Sequence, residues 1–198
     1  MNAGMHDSLI AYFNSQIGSP LTEEEVAIVR ATFKPKRLRK HQYLLQEGEV
    51  CKFGGFVTKG AMKTYTVDEN GKEDILGLYI ENWWVGDRES FLNGTPTPYN
   101  IDAFEDTELL LFGNEDGWQQ LMGARFMQEL MRILTERQAL QLLKRVHTTK
   151  TMTAEMRLAD LERTYPEFLQ RFPQHIIASY LGMTKETLSR IRAQSAKR

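Results

Sequence analysis

Near the end of the chain, Lys185, Glu186, Ser189, Arg190 and Arg192 stand close together. They supply fixed cations, a carboxylate and a hydroxyl. These are the groups that hydrogen-bond base edges and neutralise phosphates. Leu188 and Ile191, three apart, claim the inner side of the same short helix and leave the polar set outside. Just upstream runs Gln174-His175-Ile176-Ile177-Ala178-Ser179-Tyr180-Leu181-Gly182-Met183-Thr184. Ile177, Ala178 and Leu181 share one face of a helix at i, i+1 and i+4. Gly182 suits the left-handed residue that ends it. Thr184 can cap the next helix through its side-chain oxygen. The arrangement is a helix-turn-helix plan: one helix braces and the next presents its polar face to a major groove. A plain helical hairpin with a solvated charged face has the same periodicity, so the elements around it must decide.

The 198 residues carry a net charge of −1, which hides an asymmetry. Residues 144–198 hold eleven Lys/Arg and five acids, giving +6, so the remainder is −7. A basic end on an acidic body suits one end meeting a polyanion. No apolar run reaches the ~18–20 residues of a membrane helix. The N-terminus, Met1 to Ser8, is polar and lacks a signal-peptide core. Cys51 is the only cysteine, so no internal disulfide forms and a cytoplasmic protein without membrane attachment is expected.

Two helices open the chain. Leu9, Ile10, Phe13 and Ile17 take helical spacing before Gly18, and Thr22-Glu23-Glu24-Glu25 is a capping-box sequence. From about Lys36 to Gly113, short strands alternate with turn residues. They are expected near 36–39, 43–46, 53–59, 61–67, 73–79, 83–86, 99–103 and 108–112, with a hairpin turn at Asp68-Glu69-Asn70-Gly71. Eight such strands predict an antiparallel barrel or jelly roll. Trp118 and Leu121 suggest a short helix. Phe126, Leu130, Ile133, Arg137 and Leu140 then step by four and three, the seam of a long helix that pairs two subunits. Another amphipathic helix spans 151–165.

The fold class is therefore α+β: an antiparallel β-roll with flanking helices, a long dimerisation helix and a C-terminal helix-turn-helix domain. The domains divide as 1–113 (sensor roll with N-terminal helices), 114–148 (dimerisation helix and hinge) and 149–198 (DNA binding).

This order of parts resembles the Crp/Fnr family of bacterial transcription regulators. Gly48, Gly60, Gly71 and Gly86 in the roll, and Ile177-Ala178 through Leu181-Gly182-Met183-Thr184-Lys185-Glu186-Thr187-Leu188-Ser189-Arg190, carry the resemblance. It implies a roll that senses a small molecule, a helix that pairs two subunits, and recognition helices that bind a palindromic site in double-stranded DNA. It places Lys185, Glu186 and Arg190 at the base-reading positions. Gln174, Thr184, Thr187, Ser189 and Arg192 become the phosphate contacts.

The family's phosphate cassette runs Gly-Glu-Leu, a loop, then Arg followed by Ser or Thr and Ala. Here it falls on residues 86–99. Gly86 matches and Asp87 replaces the ribose-binding glutamate. Thr97 stands where the phosphate arginine belongs, Pro98 follows, and Tyr99 closes the segment. A buried phosphate needs a cationic, preferably bidentate partner; Thr97 has no charge and Pro98 no N–H. Arg88 is a substitute only if strand alternation points it inward. Gly86, Asp87, Arg88, Thr97, Pro98 and Tyr99 thus read as a degenerate pocket, and the effector as something other than cyclic nucleotide, or absent. An iron–sulfur sensor would need about four cysteines. A haem sensor would need an axial ligand inside the roll, where His41 and Cys51 are the only His or Cys residues and a lone one of either kind is more often structural. His6, His147 and His175 show no metal-ligand spacing, so no cofactor and no metal are expected. Residues 163–173 are too short and too poor in β-formers for the family's hairpin wing.

The reading is a dimeric, sequence-specific DNA-binding regulator. The alternative is a small-molecule binding module whose DNA binding is weakened or vestigial. An enzyme is not expected, because the roll shows no nucleophile motif, no His/Cys metal set and no paired carboxylates beside a histidine.

Overall fold

The computed structural model describes residues 2–113 and 117–195. Residues 114–116, where the dimerisation segment is expected to begin, lie outside the described residues, as do Lys197 and Arg198 of the basic end.

Helix α1 (Asn2–Ile17) buries Met5, Leu9 and Phe13 along one face. Helix α2 (Glu23–Thr32) starts in the expected capping box: Glu25 N–H donates to Thr22 Oγ1 at 3.2 Å, and Thr22 N–H donates to Glu25 Oε2 at 2.9 Å.

Eight strands follow: β1 (Lys34–Leu38), β2 (Tyr43–Leu45), β3 (Phe53–Lys59), β4 (Met62–Val67), β5 (Glu73–Tyr79), β6 (Trp84–Val85), β7 (Asn100–Ala103) and β8 (Thr107–Gly113). They form two four-stranded sheets, ordered β1-β8-β3-β6 and β2-β7-β4-β5. Pro35 sits on β1, an edge strand, where its missing N–H is tolerated. The paired strands β3 and β8 are covered on both faces, so they read as apolar runs and not as alternation. Val57 and Leu109 join Leu38, Leu45, Met62, Val85 and Ile101 in a core shared by both sheets. Phe56, Leu110 and Phe112 turn the other way, into a core with Leu9, Phe13, Val29 and Phe33. Gly54 allows the closest approach in that layer, since a Cβ there would stand 2.3 Å from the Phe112 ring.

Between β6 and β7 lies helix α3 (Arg88–Asn93), where the sequence suggested loop or strand. Helix α4 (Trp118–Gly123) leads into α5 (Arg125–Thr151). Then come α6 (Ala154–Thr164), α7 (Pro166–Arg171), α8 (Gln174–Tyr180) and α9 (Lys185–Ser195). Residues 163–173 finish α6 and form α7, with no strand among them. No described helix is long and apolar enough to cross a membrane.

The chain packs as two compact units. One holds the residues up to Thr64 together with Tyr79–Arg137; the other holds Tyr65–Leu78 and the residues from Gln138 on. In the second, Leu158, Leu161, Phe168, Phe172, Ile176, Ile177, Leu188 and Ile191 are buried, with the Phe168 ring packed on Tyr165, Phe172 and Tyr180. Asp160 ties α6 to α5: its Oδ2 lies 2.9 Å from Lys144 Nζ, and its Oδ1 lies 2.6 Å from Arg163 on its own helix. The Lys144 hydrogen bond, with help from Arg163, holds the Asp160 carboxyl below its ordinary range. A lowered native pKa contributes stability at neutral pH that is lost as pH falls through it. Asp160→Asn is therefore expected to cost about 0.5–1 kcal/mol at pH 7, a surface-pair magnitude, and less in acid. Urea unfolding at two pH values measures this.

Candidate nucleic-acid interface and ligand pocket

The helix-turn-helix is built as its sequence requires. The last turn of α8 closes on Gly182, whose φ is 65°. Gly182 N–H donates to the Ser179 carbonyl and Met183 N–H to the Ala178 carbonyl, both at 2.9 Å. This pair of bonds is a Schellman end, and it needs a left-handed residue at the glycine. Thr184 then caps α9, its Oγ1 accepting from Thr187 N–H at 3.2 Å. Leu188 and Ile191 are buried and fix the roll of α9 about its axis. Ile176 joins Ile177 and Ala178 inside, while Leu181 is only half-buried.

That packing leaves Thr184, Lys185, Glu186, Ser189 and Arg190 exposed, and Gln174, Thr187 and Arg192 half-buried. Glu186 and Arg190 are four apart, on one face of α9. The Glu186 carboxyl is held below its usual range by its own backbone N–H and then by the Thr184 hydroxyl, so it stays an acceptor at neutral pH. The sequence did not reveal the neighbour of Arg190. Glu155, in the first turn of α6, has its carboxyl lowered by its own backbone N–H and the Thr153 hydroxyl, with Arg190 adding a charge effect. Nothing in the local pattern links positions 155 and 190; only the packing of α6 against α9 does.

In the roll, the six pocket positions are not gathered around a cation. Gly86 has φ 142°, and buried Asp87 caps α3, accepting from Glu89 and Ser90 N–H at 3.0 and 3.2 Å. Buried Thr97 donates its hydroxyl to Asp87 Oδ2 at 2.7 Å. Its own Oγ1 accepts from Tyr99 N–H at 3.2 Å. The backbone of Thr97 bonds Gly48 and Glu49 at 2.8 Å each. Arg88 does not sit on a strand: it opens α3, is exposed, and its guanidinium donates to Thr135 Oγ1 of α5 at 3.1 Å. Pro98 is exposed and Tyr99 half-buried. No group of three or more His, Cys, Asp or Glu side chains that could hold a metal occurs among the described residues.

On α5, Phe126 and Leu130 are buried, Ile133 is half-buried and Arg137 is exposed, bonded to Gln16. Beyond Arg137 the apolar side chains lose their cover: Leu140, Leu142 and Leu143 are 66%, 64% and 68% exposed, and Val146 is 46% exposed.

These elements define a class: a cyclic nucleotide-binding type of roll joined through a long helix to a helix-turn-helix. Residues 35–124 match the family described as "Cyclic nucleotide-binding domain". The transcriptional activator protein Anr of Pseudomonas aeruginosa is 26% identical over 187 residues, covering 86% of this chain and 74% of that one. The fumarate and nitrate reduction regulatory protein of Yersinia pestis is 25% identical, covering 83% of this chain and 69% of that one. The solved structure of FixK2 from Bradyrhizobium japonicum shares the fold with a TM-score of 0.68 at 20% identity, covering 83% of this chain and 85% of that one. The chain is thus similar to named transcriptional regulators over most of its length, and it shares the fold of FixK2.

Proposed function

We propose that the chain is a dimeric, sequence-specific DNA-binding transcription regulator of the cytoplasm, whose roll does not take a cyclic nucleotide. The observation that carries this reading is α9. Its orientation is fixed by Leu188 and Ile191, and it holds Lys185, Glu186 and Arg190 in the open. Arg190 donates two hydrogen bonds to guanine O6 and N7, Glu186 accepts from a cytosine amino group, and Lys185 reaches a guanine or a phosphate. Gln174, Thr184, Thr187, Ser189 and Arg192 contact phosphates and set register. The parts divide the work as sensor (1–113), pairing helix and hinge (114–148) and reader (149–198). The uncovered leucines of α5 support pairing with a second copy, which would set half-sites one helical turn apart, roughly 34 Å.

Arg190→Ala should weaken a selected site by about 1–3 kcal/mol and relax preference at one base pair. Arg192→Ala should weaken all sequences alike and lower the salt slope. Equal binding of the selected site by Arg190→Ala and wild type would remove Arg190 from the reading set.

The Asp87–Thr97 hydrogen bond supports the absence of cyclic nucleotide, because it joins the ribose position to the phosphate position without a positive charge. Titration calorimetry with cyclic AMP is expected to give no binding heat. Saturable binding would contradict this. A second reading, a ligand-binding module with vestigial DNA binding, draws its support from the family match of residues 35–124. A ligand that raises Tm in a protein with no preferred DNA would establish it.

A further inference from the structure

The second compact unit gives the helix-turn-helix a neighbour far away in sequence. The turn between β4 and β5 packs with it in that unit. Ile75 N–H donates to Ser179 Oγ at 2.9 Å. The Ser179 hydroxyl lies 3.3 Å from the Glu73 carbonyl oxygen and 3.5 Å from Asp74 Oδ1. Ser179 thus accepts from and donates to one short piece of β5. Its own carbonyl accepts the Gly182 N–H that shapes the turn into α9.

The hairpin tip is acidic and closed by its own hydrogen bonds. Asp68 Oδ1 accepts from the N–H groups of Asn70 and Lys72, both at 2.9 Å. From Asp68 to Asp74 the chain holds four acids (Asp68, Glu69, Glu73 and Asp74) and one lysine. Lys72 and Asp74 line a cleft of about 540 Å³ together with His175, Thr184, Lys185 and Glu186. That volume fits a small molecule, within the ~300–1,000 Å³ such sites occupy. A duplex on α9 must bring a major groove ~12 Å wide, with phosphates on both rims, into the same space. Those phosphates would meet acidic side chains, and like charges repel.

We propose that the β4–β5 hairpin is an autoinhibitory latch. Its bonds to Ser179 hold an acidic tip beside the start of the recognition helix, and DNA binding requires the latch to open. This rests on the DNA-binding reading above. Two hydrogen bonds of ordinary strength bias such an equilibrium by roughly ten- to thirtyfold, which bound DNA or an effector can reverse.

The test uses the full chain, a mixed-sequence duplex of about 30 bp at about 50 mM salt, and fluorescence anisotropy. Ser179→Ala keeps a good helix former in α8 and removes both latch bonds. It is expected to bind roughly tenfold tighter. Asp74→Asn lies outside the helix-turn-helix and keeps the shape of the side chain; it is expected to bind about two- to threefold tighter. In the wild type, adding the duplex is expected to speed hydrogen exchange at the Ile75 amide. Two results would overturn the latch while leaving DNA binding intact: variants that bind no tighter than a wild type that binds, or DNA that slows exchange at Ile75, the mark of a brace. If no form binds the duplex, the DNA-binding reading falls and the latch with it.

Discussion

Replacing Leu140 and Leu143 together with glutamate is expected to turn the protein into a monomer and to weaken binding to a two-half-site duplex by roughly 10²–10⁴-fold. The seam lies on α5. Its first turns are anchored: Phe126, Met127 and Leu130 are at most 3% exposed. Its later turns carry three leucines that are about two-thirds exposed, and Val146 beyond them. Leu140 follows Phe126, Leu130, Ile133 and Arg137 in steps of four and three, and Leu143 lies three further on, so the stripe buried at one end is bare at the other. Burying a leucine yields about 1.5–3 kcal/mol, so two from each copy favour pairing strongly. Glutamates would place charges in that seam, where desolvation and mutual repulsion oppose it. Each recognition helix should still form, since Leu188 and Ile191 are untouched, so half-site contacts survive while avidity is lost. Sedimentation equilibrium measures the first effect and titration of a two-half-site duplex the second. A variant that remains dimeric would show that α5 pairs elsewhere or not at all.

The second large effect is on stability. Phe13→Ala is expected to cost about 3–5 kcal/mol, the range for deleting a buried phenylalanine. Phe13 is fully buried. Its ring meets Phe126 at 5.2 Å, Phe33 at 6.1 Å and Trp84 at 6.2 Å between centroids. One side chain on α1 therefore binds the end of α2, the strand β6 and the start of α5. Such aromatic pairs add about 0.5–1.5 kcal/mol each beyond the area they bury. The cavity left would also free the base of α5. Urea unfolding monitored by tryptophan fluorescence reads the loss. A cost below about 1 kcal/mol would mean that the site collapses around the gap.

The helix-turn-helix was legible in the sequence because its information is local. Gly182 demands a left-handed turn, Thr184 caps, and Leu188 and Ile191 orient α9, all within a few residues. The strands were legible for a similar reason, since turn residues such as Asp68 to Gly71 mark their ends. Helix α3 was not. It is six residues long and depends on the Asp87 cap, and a helix that short carries no periodic signal. Arg88 was misplaced for the same reason: on a helix it reaches Thr135. The Asp87–Thr97 bond spans ten residues and follows from where β7 begins, which spacing does not fix. The Ser179–Ile75 bond spans 104 residues, and no local rule predicts it. Sequence thus exposed the chemistry that sits on one element and missed the chemistry that two elements make together.

Two copies of α9 are expected to read DNA as a symmetric pair. Selection of bound duplexes from a random pool by the full chain tests it most directly. The expected product is an inverted repeat whose half-sites lie one helical turn apart, with a guanine in each that loses its preference in Arg190→Ala. A pool that returns no common site, or one with a single unpaired half-site, would contradict symmetric reading by α9.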